Sequence, residues 1–125
     1  MDFTVTIVTR NRAENLKESL RSLNGQAYPA DRYEVIVVDN GSTDHTQAVA
    51  EEIGGDFSHF LYLYDGRPGQ LVGWHLGLQE AKGNIVCFID DDVRLEKTWL
   101  SGLAASYEEP KVGLATGPIN LEFVA

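Results

Sequence analysis

The sequence predicts an α/β domain built on a mainly parallel sheet. Short β-branched or apolar segments alternate with longer segments of helical periodicity along the whole chain. Two of the short segments are apolar at nearly every position, the pattern of strands covered on both faces. Gly, Asn, Asp and Ser gather at the junctions, where turns and helix caps need them. At 125 residues there is room for one core and little for a second.

Phe3-Thr4-Val5-Thr6-Ile7-Val8-Thr9 is β-branched or apolar throughout and reads as the first strand. Leu16, Leu20 and Leu23 then recur at helical spacing, giving a helix from about Ala13 to Asn24 that Gly25 stops. Tyr33 to Val38 is a second strand. Gly41-Ser42-Thr43-Asp44 supplies turn and cap residues, with Asp44 as the cap, and opens a helix through Ala48, Val49 and Ile53 that ends at Gly54-Gly55. Phe60 to Tyr64 is the third strand, Leu71 to Ala81 a helix closed by Gly83, and Ile85 to Ile89 a fourth strand ending at three aspartates. A helix from about Glu96 to Tyr107 carries Trp99, Leu100, Leu103 and Ala104 on one side. Val112 to Thr116 is a short fifth strand. Right-handed crossovers make this a three-layer sandwich, with the third, second, first and fourth strands neighbours in that order and a further strand beside them.

Composition narrows the function classes. Nineteen acidic residues against 10 basic ones leave a formal charge of −9, which argues against nucleic acid as a partner because such binding needs Lys and Arg on phosphates. No apolar run approaches the ~20 residues of a membrane-spanning helix, and Met1-Asp2-Phe3-Thr4 has no basic segment ahead of an apolar one. The lone cysteine, Cys87, has no partner for an internal disulfide. These features lead us to expect a cytoplasmic protein.

In parallel sheets ligands bind outside the carboxyl ends of the strands. Those ends are Thr9 to Arg12, Asp39 to Asp44, Asp65 to Gly69, Asp90 to Asp92, and Gly117 to Asn120, so the polar residues of interest converge on one rim. A run of three carboxylates in a strand-end loop is ordinarily a solvated turn. Asp90-Asp91-Asp92, however, follows an almost wholly apolar strand and offers the hard oxygen ligands that Mg²⁺ or Mn²⁺ prefer. A diphosphate would be repelled from so acidic a rim unless a cation stood between them.

Four segments carry a resemblance: Ile7-Val8-Thr9-Arg10-Asn11-Arg12, Val37-Val38-Asp39-Asn40-Gly41-Ser42-Thr43-Asp44, Gly77-Leu78-Gln79-Glu80-Ala81-Lys82-Gly83, and Phe88-Ile89-Asp90-Asp91-Asp92. In this order and at these separations the chain resembles the family-two glycosyltransferases, whose first half has the Rossmann-like GT-A nucleotide-binding architecture. The resemblance implies that residues 1–125 are the nucleotide-sugar-binding part of such an enzyme, ending before its acceptor-binding half. It implies nucleotide contacts at Thr9, Arg12, Asp39, Asn40, Asp90 and Asp91. Asp90 and Asp92 match the outer members of the family's Asp-X-Asp motif, with Asp92 the direct ligand of Mg²⁺ or Mn²⁺ and Asp90 nearer the ribose. Two departures stand out. Asn40 replaces a frequent Asp, and Trp74-His75 stands where Arg-Asn is common. His75 could approach a phosphate, although a helix histidine more often packs or faces solvent, and Arg67 is a rival phosphate ligand, although a loop Arg is usually just solvated. His45, His59 and Cys87 have no constellation around them and read as structural.

The implied reaction moves a sugar from a nucleotide-diphosphate donor to an acceptor hydroxyl (saccharide, lipid-linked or other) with inversion, helped by the metal. The general base is expected beyond Ala125, since Glu122 sits in an apolar stretch. The first 125 residues alone are expected to bind nucleotide without transferring sugar, and to self-associate through the edge that the second half would cover. The parent protein could lie at the cytoplasmic face of a membrane. A dehydrogenase would place Gly-X-Gly-X-X-Gly after the first strand, and a P-loop NTPase needs Gly-X-X-X-X-Gly-Lys-Ser/Thr; the chain has neither. A sugar nucleotidyltransferase is the nearest enzyme alternative, but its glycine-rich basic loop is missing. A non-catalytic nucleotide-binding or interaction module is the other alternative.

Overall fold

A computed structural model describes residues 1–67 and 69–107, together with the strand pairing of residues 122–123. The expected fifth strand at 112–116 and the rim segment at 117–120 lie outside the described residues. Four strands form one sheet: β1 (Phe3–Thr9), β2 (Tyr33–Asp39), β3 (Phe60–Tyr64) and β4 (Ile85–Ile89). Their order is β3-β2-β1-β4, and every pairing is parallel, as the alternating pattern predicts. The helices are α1 (Ala13–Asn24), α2 (Thr46–Gly54), α3 (Gln70–Glu80) and α4 (Trp99–Tyr107). A two-residue β5 (Val93–Arg94) pairs antiparallel with β6 (Glu122–Phe123).

Strand side chains alternate between faces, and the sequence uses the two faces differently. Phe3, Val5 and Ile7 of β1 and Tyr33, Val35 and Val37 of β2 join Leu16, Leu20 and Leu23 of α1, Val49, Ala50 and Ile53 of α2, and Leu100 of α4 in one buried cluster. Each fully buried Leu or Val there contributes about 1.5–3 kcal/mol relative to exposure. The intervening residues, Thr4, Thr6 and Val8, face α3 on the opposite side. The third layer comes very close. A Cβ at Gly73 would lie 2.6 Å from a Val8 methyl, and one at Gly77 would lie 2.4 Å from the Thr6 methyl. On the same face the Thr6 hydroxyl is the buried side-chain polar atom without a hydrogen-bond partner among the described residues.

The amino-terminal edge of the same face holds a buried acid. Glu34 accepts from the Thr4 hydroxyl at 2.6 Å and from the Lys82 backbone N–H at 2.6 Å, while Gly83 N–H donates to Thr4 Oγ1 at 2.8 Å. Gly83 therefore does not close α3, which ends at Glu80 with Ala81 at the cap position. Its place is against the β1 backbone, where a Cβ would stand 2.5 Å from Phe3 C and Thr4 N. The last helix also begins later than its periodicity predicts, at Trp99 rather than near Glu96. The Glu96 carbonyl accepts from Gln26 as well as from Trp99 N–H, and the Lys97 carbonyl accepts from Ala27 N–H, both partners lying just past the end of α1. Asp44 accepts from the Thr46 backbone N–H at 3.0 Å, which satisfies an orphan donor at the start of α2 as expected. On the outer side of α3, Leu71, Trp74 and Leu78 are exposed, as is Phe88 of β4.

The close α3–β1 packing gives a direct test. Gly77→Val should lower stability by about 1–3 kcal/mol, the scale of overpacking, seen as a lower urea midpoint at an unchanged slope.

Candidate functional site

The sheet has its switch point between β1 and β4, because the chain runs outward through β2 and β3 on one side and returns to β4 on the other. Strand ends diverge there and leave a crevice. The β1–β4 register pairs Ile7 with Ile89, and continuing it brings Asp91 beside Thr9. The Thr9 hydroxyl donates to Asp91 Oδ2 at 2.8 Å. On the other side of β1, Thr9 pairs with Asp39.

A cavity of about 400 Å³ opens at this point, and Thr9, Arg12, Asn40, Asp90, Asp91 and Asp92 all line it. Asp39 does not. It is 1% exposed, accepting from Ser42 N–H at 2.9 Å and from the Tyr62 hydroxyl at 2.6 Å. Burial, and then this bond to Asp39, raise the Tyr62 pKa. Asp39 thus has its two carboxylate oxygens engaged by the protein, by Ser42 N–H and the Tyr62 hydroxyl. Asn40 is also buried and uses its amide nitrogen to donate to the carbonyls of Asp65 at 3.2 Å and Arg67 at 2.6 Å. The Asn–Asp difference noted in the sequence therefore has a structural meaning: an ionised Asp has no proton to offer those two carbonyls.

The three aspartates differ in surroundings. Asp90 is exposed and Asp92 half-buried, whereas Asp91 is buried. Burial pushes the Asp91 pKa up, with Asp92 and Asp90 adding to the rise; the Thr9 hydroxyl and the Arg12 guanidinium oppose it. Arg12 spans the run, with Nε 3.5 Å from Asp91 Oδ1 and Nη2 3.3 Å from Asp92 Oδ2. Its side chain is 46% exposed, so each pair contributes at most about 1 kcal/mol. The loop is fixed from the other side by Asn11, whose φ of 51° lies in the left-handed region that Asn tolerates. Its Oδ1 accepts from Thr43 N–H at 2.8 Å, and its own N–H donates to Ser42 Oγ at 2.8 Å.

Val8, Arg10 and Gln70 complete the cavity wall and were not singled out in the sequence. Arg10 is the first residue past β1, on the side of the rim, and has no ion pair among the described residues. Gln70 opens α3, one residue before the predicted start of that helix. The two rival phosphate ligands lie elsewhere: Arg67 and His75 line a separate groove with Leu71 and Leu76. Arg67 is held by Asp65 at 2.6 Å, and the same bond draws the Asp65 pKa down to about 2. Burial raises Cys87 to about 11, which leaves an inert thiol. His45 lies 3.4 Å from Glu14.

Among the described residues, no group of three or more His, Cys, Asp or Glu is assembled to hold a metal ion by itself. Asp90 and Asp92 instead offer two carboxylates on one cavity wall. One or two carboxylates completed by water and substrate phosphates is how Mg²⁺-type ions are usually held, so the donor set fits a shared cation. No helix among the described residues is long and apolar enough to cross a membrane.

Comparison with known proteins agrees with this architecture. Residues 4–124 match the family described as Glycosyl transferase family 2. Glycosyltransferase AglE of Haloferax volcanii is 31% identical over 96% of this chain and 39% of its own length. The crystal structure of Staphylococcus aureus TarS 1-349 superposes with a TM-score of 0.82 at 30% identity, covering 86% of this chain and 32% of that one. The mannosyltransferase PcManGT from Pyrobaculum calidifontis, in complex with GDP-Man and Mn²⁺, gives 0.83 at 29% identity over 89% and 33%. TarS 1-349 in complex with UDP-GlcNAc gives 0.76 at 27% identity over 93% and 37%. The chain spans well under half the length of each of these proteins.

Two outcomes follow from the geometry. Asn40→Asp sets a carboxylate against two carbonyls and should cost about 1–3 kcal/mol at neutral pH, measurable by urea unfolding. For Asp91, the folded carboxyl titrates above the unfolded one, so the folded protein holds the extra proton between the two values. That contribution is complete below the unfolded value and is lost as pH rises through the folded one. Asp91→Asn removes the loss, so its stability relative to wild type should rise from about pH 4 toward neutrality; a gap that does not change with pH contradicts this.

Proposed function

This chain belongs to glycosyl transferase family 2, and from that premise we propose that its cavity binds the nucleotide-diphosphate end of a sugar donor together with Mg²⁺ or Mn²⁺. The observation that carries the reading is the meeting of Thr9, Arg12, Asn40 and Asp90 to Asp92 around one crevice at the sheet's switch point. Complexes of relatives with UDP-GlcNAc, and with GDP-Man and Mn²⁺, support both the ligand class and the cation. They also leave the base open.

In this reading Asp92 ligates the metal and Asp90 lies nearer the ribose. Thr9 and Asn40 form the wall toward the nucleoside, and Asp39 acts by holding the loop that follows it. Arg12, already beside Asp91 and Asp92, and Arg10 bring positive charge to a rim that otherwise repels a diphosphate. When bound, the divalent cation offsets the negative charge that develops on a departing diphosphate. Transfer to an acceptor hydroxyl with inversion is proposed for the whole protein. A cytoplasmic setting, at the membrane face where the acceptor is lipid-linked, belongs to the same reading. So does self-association through the edge that an acceptor-binding half would cover.

Calorimetry with UDP, GDP and dTDP, each with Mn²⁺ and with chelator, tests the site. Binding should require the metal, and Asp92→Asn should weaken it about tenfold or more, as expected for loss of one charge-assisted contact. Equal affinity with and without metal would remove the role given to Asp92.

A further inference from the structure

α1 presents its leucines to the sheet, but Ser19 and Ser22, three positions apart on it, and Gln26, just past its end, form a second, polar line. Ser19 is fully buried, and its hydroxyl lies 2.6 Å from the Val93 carbonyl and 2.9 Å from the Asp91 carbonyl. Ser22 Oγ accepts from Leu95 N–H at 3.0 Å and donates to the Ser19 carbonyl at 2.7 Å. Gln26 donates to the Glu96 carbonyl at 2.6 Å and accepts from Leu100 N–H at 3.0 Å. One edge of α1 and the residue just past its end thus answer backbone polar groups from the end of β4 to the first turn of α4. Buried backbone groups require such partners.

The two carbonyls that share the Ser19 hydroxyl belong to Val93 and to Asp91, the middle one of the three aspartates that line the cavity. Asp90 makes no hydrogen bond or ion pair among the described residues, and Asp92 has the partly exposed Arg12. The positions of both carboxylates therefore depend on how their backbone is held.

We propose that Ser19 is a positioning residue for the donor site: through the Asp91 and Val93 carbonyls it sets where Asp90 and Asp92 present their oxygens. Ser22 and Gln26 continue the hold farther from the cavity. The inference rests on the metal–diphosphate reading above, and its test separates the two.

In the intact protein, Ser19→Ala, Ser22→Ala and Gln26→Ala are compared with wild type by three measurements. These are Mn²⁺ binding with UDP or GDP present (followed by the paramagnetic resonance of free Mn²⁺), thermal unfolding, and amide hydrogen exchange without ligand. Ser19→Ala should weaken Mn²⁺ binding about tenfold, the scale of losing support behind a metal ligand. Ser22→Ala and Gln26→Ala should lower Tm at least as much while changing Mn²⁺ affinity by less than about threefold. Losses of affinity that simply track Tm across the three variants would overturn the proposal. Ser19→Ala should also speed exchange over residues 91–95, and unchanged exchange there would overturn it independently of any ligand. If wild type takes up no Mn²⁺, the metal reading fails, and the exchange result still decides the role of Ser19. Should Ser19→Ala not fold, Ser19→Cys, close in size and a weaker donor, should shift both measurements in the same direction by less; no shift overturns the proposal.

Discussion

The structure depends on the double hydrogen-bonding of β1, which pairs with β2 along Phe3–Thr9 and with β4 along Phe3–Ile7. Because side chains alternate, a slip of one residue on either side would exchange the faces of the central strand. Phe3, Val5 and Ile7 would leave the core, and Thr4, Thr6 and Val8 would turn away from the glycines that admit α3 so closely. The same register brings Thr9 between Asp39 and Asp91. Core packing and site assembly are thus two results of one alignment.

The acids at the rim fall into two kinds. Asp39 and Asp91 are buried and occupied by protein donors: a backbone N–H and a tyrosine for one, a threonine and an arginine for the other. They organise the loops around them and place neighbouring residues. Asp90 and Asp92 reach the cavity with less to hold them, the condition a ligand for a hard cation requires. A net charge of −9 conceals this division, since a carboxylate already answered by the protein repels an incoming phosphate less than an open one.

Much of this was legible in the sequence because it follows from local pattern. The four strands, their order and the convergence of Thr9, Asp39 and Asp90 to Asp92 on one edge need only periodicity and the handedness of crossovers. What escaped reading depends on partners distant in the chain. Nothing near Asp39 announces that Tyr62, on the next strand, will cover one of its oxygens. Arg67 reads as a phosphate ligand until Asp65 is seen to hold it. Arg10 looks like any solvated residue until the crevice opens beside it. The late start of α4 was hidden because periodicity reports side chains, whereas the carbonyls of Glu96 and Lys97 are claimed by backbone and amide groups some seventy positions earlier.

The hydrogen bonds by which Ser19, Ser22 and Gln26 grip the 91–100 segment are all made on its peptide groups. A main-chain grip does not depend on which side chains the gripped residues carry. The outward-facing tip can therefore be rewritten while its path through space is kept, an arrangement that favours divergence. A lineage, or a combinatorial library varied at 90 and 92 alone, changes the groups that face the cavity on an unchanged frame, without each trial putting the fold at risk.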